Sequence, residues 1–69
     1  MRLVKIDALA SESDGTTYQI WIDPARVICV ISLPSATRSG ARTAINVEGV
    51  DSMVYTWSPA KDVADAFTQ

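Results

Sequence analysis

The sequence predicts a β-rich α+β domain: about five short antiparallel strands forming a curved sheet or small open barrel, with one C-terminal helix over 59–68 packed on it. Three observations predict this class. Short runs of apolar residues recur between turn-forming Gly, Pro and Asp residues. Several of those runs alternate apolar with polar, the period of a strand with one buried face. Helical spacing is confined to the segment after Ser58-Pro59. All 69 residues read as a single domain over 1–69, with no internal repeat, low-complexity tract or linker.

The elements follow in order. Residues 2–10 place Val4, Ile6 and Ala8 on one face and Leu3, Lys5, Asp7 and Leu9 on the other. Residues 11–16 are polar, and Asp14-Gly15 signals a hairpin, because glycine accepts the positive φ of a tight turn. Residues 17–22 set Tyr18, Ile20 and Ile22 against Thr17, Gln19 and Trp21. Asp23-Pro24 then ends the strand: proline pre-sets φ, and the aspartate can accept from the backbone N–H groups that follow. Residues 27–33 are apolar at nearly every position. Such a strand is expected to be buried on both faces, one by the domain's own core and the other by a second layer. Residues 34–41 hold no large apolar side chain and read as a loop. Residues 42–48 and 53–57 are two further strands around a turn at Gly49. Ser58 is the expected N-cap, Pro59 the first helical residue, and Ala60, Val63, Ala64 and Phe67 the apolar stripe.

Composition narrows the function. A domain this small hides only ~60% of the surface its unfolded chain exposes. One cysteine allows no internal disulfide, and the absence of histidine excludes Cys/His zinc sites and His-dependent triads. Yet 48% of residues are hydrophobic. Self-association is the natural way to bury that surface, so a homo-oligomer is expected, joined through the outer face of strand 27–33 or its edges. The net charge of −2 argues against broad nucleic-acid binding. The start of the chain lacks the apolar run of a secretion signal, and the longest apolar run, 27–31, is too short to span a bilayer. The expectation is a cytoplasmic protein without membrane association, cofactor or metal, and not an enzyme.

The loop over 34–43 is the first candidate site. It holds Arg38 and Arg42, two of only six basic residues, and no acid. Their planar forks fit phosphate, and Thr37, Ser39 and Thr43 with Gly40 supply hydroxyls and accessible backbone amides. The bland alternative is a solvated connection. Trp21 and Tyr55 are candidates for stacking on a base. Trp21 reads equally as an interface or core residue. Trp57, just before the helix, reads as a staple against it. Cys29 reads as a buried small hydrophobe. The carboxylates are scattered and suit solvation better than metal binding.

The succession Ile20-Trp21-Ile22-Asp23-Pro24, Val27 to Ile31, Ile45-Asn46-Val47-Glu48-Gly49-Val50, Val54-Tyr55-Thr56-Trp57-Ser58-Pro59, then Val63 and Phe67 resembles the small flagellar FlbD-type β-rich proteins. The likeness is one of outline, covers most of the chain, and departs from it at the insert 35–40 and in an acidic helix. It implies a compact module that works by binding and brings no catalytic residues. Two function classes result. One is a small oligomer that captures a phosphate-bearing molecule, such as a nucleotide signal, between subunits, as phage proteins that sequester immune nucleotides do. Its site would be Arg38, Arg42, Ser39, Thr37, Trp21 and Tyr55. The other is a protein–protein adaptor of FlbD-like type with no small ligand.

Overall fold

The structure is a computed structural model and describes residues 2–11, 13–34 and 38–68. The strands are β1 (Val4–Leu9), β2 (Thr17–Ile22), β3 (Val27–Ser32), β4 (Thr43–Val47) and β5 (Val54–Thr56), and the helix is α1 (Ala60–Thr68). All pairings are antiparallel, in one unclosed sheet of order β2-β1-β5-β4-β3. The β-rich α+β class is therefore the one the sequence predicts.

Connectivity bends this sheet. β2 and β3 are consecutive in the chain yet form its two opposite edges. In a flat five-stranded sheet those edges would stand ~19 Å apart, four spacings of ~4.8 Å. The chain from Ile22 to Val27 reaches at most ~17 Å even when fully extended. It is far from extended, because Pro24–Arg26 form a turn of 3₁₀ helix capped by Asp23, whose Oδ1 accepts from the Ala25 amide at 3.0 Å. The sheet must curl until its edges approach at this end. The hollow that Ile20 and Ile22 of β2 line together with Arg26 and Val47 records that approach, while the Glu48 amide, donating to the Arg26 carbonyl at 2.8 Å, carries the β3–β4 pairing up to the turn.

The inner face carries the core. Ile6 and Ala8, Ile22, Ile45 and Val47, and Val54 come from four strands, and Val63 of α1 closes over them. Val27 and Val30 of β3 and Phe67 of α1 pack against this cluster half-buried. Two threonines are fully buried among them, and both hydroxyls are used. Thr43 donates to the Ser58 carbonyl at 2.6 Å and Thr56 to the Asp7 carbonyl at 3.0 Å. They face each other across β4 and β5, so they tie the start of α1 and the middle of β1 to one point of the sheet.

Several elements differ from expectation for physical reasons. Strand 27–33 was expected to be buried on both faces; as β3 it is an edge with only β4 beside it. Ile28 and Ile31 are 62% and 42% exposed, and Cys29 is exposed rather than buried, because an edge strand has a neighbour on one side only. The loop after β1 is not closed by a positive-φ glycine. Among the described residues only Gly40 and Gly49 take positive φ, at 85° and 87°. Asp14 closes the loop instead, its Oδ1 accepting from the Thr16 amide at 2.9 Å and the Thr16 hydroxyl at 2.7 Å. The helix begins one residue later than expected. The Val63 amide donates to the Pro59 carbonyl at 3.1 Å, which makes Pro59 the capping position and leaves Ser58 bound to the sheet. The inward stripe runs through Ala60, Val63, Ala66 and Phe67, and Ala64 is exposed.

Candidate anion-binding site

Arg42 lies where the loop joins the sheet, and its backbone is held on both sides. Its amide donates to the Thr56 carbonyl at 2.9 Å, and its carbonyl accepts from the Leu33 amide at 3.0 Å. The side chain is exposed, and among the described residues no carboxylate pairs with it. An arginine on a fixed backbone with an unpaired guanidinium is equipped to receive a bidentate anion.

Arg42 lines a cavity of about 350 Å³ together with Ser32, Leu33, Pro34, Gly40, Pro59 and Ala60. Three parts of the chain meet here: the end of β3, the return of the loop into β4, and the first turn of α1. The Thr43 hydroxyl on the Ser58 carbonyl holds the helix start against β4. The amides of a first helical turn have no intrahelical acceptor and point outward along the axis. Ser32 adds a hydroxyl-bearing side chain, and the positive φ of Gly40 turns the loop into the site. The volume is at the small end of ligand cavities, which run ~300–1,000 Å³.

The other expected site residues fall in three places. Arg38 and Ser39 form the turn just before Gly40; Arg38 is exposed, and Ser39 Oγ accepts from the Ala41 amide at 3.3 Å. Thr37 lies outside the described residues. Thr43, read as part of the loop's hydroxyl set, is instead fully buried with its hydroxyl committed to Ser58.

Tyr55 is half-buried on the outer face, where it stands between Leu9 of β1 and Ala44 of β4. This row sits at the loop end of the sheet: a Cβ placed on Gly15 would meet the Ser39 carbonyl oxygen at 4.0 Å, so the loop after β1 touches the arginine turn. Trp21 is elsewhere. It is 55% exposed, faces out from β2 opposite Lys5, and lines a separate hollow with Leu3 and Val50. A single chain therefore does not bring Trp21 to Arg42. Trp57 is 42% exposed beside Val63 and Ala66 of α1.

Ser32, Leu33, Pro59 and Ala60 carry no mark in the sequence that would place them in the site. Ser32 and Leu33 reach Arg42 through the pairing of β3 with β4, and Pro59 and Ala60 through the place of β5 beside β4, neither of which a local pattern encodes. Among the described residues no three His, Cys, Asp or Glu side chains gather as a metal site requires, and no helix is long and apolar enough to cross a membrane. Comparison with protein-family models, with curated proteins and with solved structures returned no match.

Proposed function

We propose that this protein is a non-enzymatic binding protein that captures a phosphate-bearing small molecule, such as a nucleotide signal, at the cavity beside Arg42. The observation that carries this reading is a guanidinium that no carboxylate among the described residues pairs, on a doubly anchored backbone, lining a cavity that the first turn of α1 also lines. Arg42 binds the phosphate, Arg38 adds a second positive charge from the turn before Gly40, and Ser39 and Thr37 supply secondary donors. The protein works as a homo-oligomer, with the uncovered side chains of β3 as one contact surface, and Trp21 or Tyr55 stacks on the base. Because Trp21 and Arg42 lie apart in one chain, a ligand that touches both bridges two copies. The setting is cytoplasmic, in the manner of phage proteins that sequester immune nucleotides.

Calorimetric titration with inorganic phosphate and a panel of nucleotides tests this. Binding is expected for at least one phosphate compound and is expected to vanish in Arg42→Ala with the melting temperature unchanged. Absence of binding across the panel overturns it. The adaptor reading, with FlbD-like outline, is favoured instead by Ile28 and Ile31, two large apolar side chains left uncovered on one edge strand. A protein retained by the wild type and lost with Ile28→Lys, together with a blank nucleotide panel, selects it.

A further inference from the structure

Three of the large hydrophobic side chains exposed on this molecule converge on one hollow. Leu3, Trp21 and Val50 are 51%, 55% and 38% exposed and line a depression of about 330 Å³ at the end of the sheet where β2 turns into β3. Its floor is apolar, with Ile20, Ile22 and Val47, and its rim is charged, with Asp23, Glu48 and Arg26. Leu3 and Val50 are far apart in sequence, so only the fold reveals the cluster. Among the described residues no ion pair joins Arg26 to either carboxylate, although the Glu48 amide is bonded to the Arg26 carbonyl.

We infer that this hollow is a self-association surface, occupied by the same hollow of a second copy of the chain. The charge pattern selects that occupant. A partner of one charge sign would be repelled by part of the rim. A second copy related by a twofold axis through the apolar centre brings its carboxylates to Arg26 and its Arg26 to the carboxylates, and every contact is made twice. The composition also fits an interface: an aromatic and two aliphatic residues at the centre, and charges outside them where water screens imperfect pairing. Trp21 is the residue type that most often dominates such contacts. The hollow is lined by ten residues. Standard interfaces use ~20–30 residues a side, so a weak dimer with Kd in the range of ~10–100 μM is expected. The surface is separate from β3 and from the Arg42 cavity; a Trp21 enclosed in it leaves Tyr55 as the residue that stacks on a base, and the inference holds whether or not that cavity takes an anion.

Sedimentation velocity across a concentration series, from ~5 μM to ~1 mM, brackets that range. The wild type is expected to shift from monomer toward dimer. Trp21→Ala is expected to weaken association by ~30-fold or more, the effect of a central aromatic anchor. Arg26→Glu and Glu48→Arg should each weaken it, and the double variant should recover it, since the swap restores opposite charges across the axis. Circular dichroism confirms that each variant is folded. A wild type that stays monomeric throughout overturns the inference. So does a charge-swapped double variant no better than its parents, or association lost in Ile28→Lys and kept in Trp21→Ala, which would place the contact on β3.

Discussion

At the scale of single residues, the fold commits some polar groups and leaves others uncommitted, and the difference separates structure from function. Thr43 is committed. Its buried hydroxyl is the link between β4 and the helix start, so Thr43→Val should cost ~1–3 kcal/mol by leaving the Ser58 carbonyl without its donor, measured by urea unfolding. Asp14 is committed at the surface. The Thr16 hydroxyl, and then the Thr16 amide, hold its carboxyl below the ordinary carboxylate value of 3.8. A carboxyl lowered in the folded state stabilises that state above its unfolded pKa, and the contribution is lost as pH falls through the folded pKa. The Thr16 amide resonance should therefore hold steady near neutrality and move only below pH ~4; movement between pH 5 and 7 would contradict the assignment. Arg42 is the uncommitted group. Removing its guanidinium should leave stability within ~0.5 kcal/mol, the usual range for surface changes, while abolishing anion binding.

At the scale of elements, the strands and helix were largely legible because each is local. Period-2 alternation marks β2 and β4, and proline with the apolar stripe marks α1 within a residue or two. What was not legible depends on neighbours. The run Val27 to Ile31 reads as doubly buried from its side chains alone, yet its burial is decided by its place at the edge of the sheet, which no local pattern encodes. Asp14-Gly15 carries the signal of a tight turn, but the side-chain bonds of Asp14 and Ser11 support a longer one. Gly49 behaves as expected. Its φ of 87° lies in the left-handed region, so Gly49→Ala should destabilise by ~1–2 kcal/mol. Arg2 also reaches across the fold, donating through one nitrogen to the Ala66 and Phe67 carbonyls at 3.0 Å each. Those are carbonyls of the last helical turn, so Arg2→Ala should cost ~0.3–1 kcal/mol, read as earlier thermal loss of helical signal.

At the scale of the whole molecule, a short link between two edge strands sets the shape. That link curls the sheet, buries the inner face under α1, and leaves the arginine loop at one end and the Trp21 hollow at the other. Both arginines of the candidate site were visible in the sequence as the basic residues of an acid-free loop. The cavity was not, because Pro59 and Ala60 reach it only through tertiary packing. On the proposed function, this cavity binds a phosphate-bearing molecule. Native mass spectrometry of the purified protein, with a mixture of nucleotides added, tests it most directly, since the 7.5 kDa chain makes even one bound nucleotide a large mass increment. A species with a defined number of nucleotide-sized increments is expected, absent from Arg42→Ala under the same conditions. Bare protein at every nucleotide concentration, or equal uptake by Arg42→Ala, would contradict it.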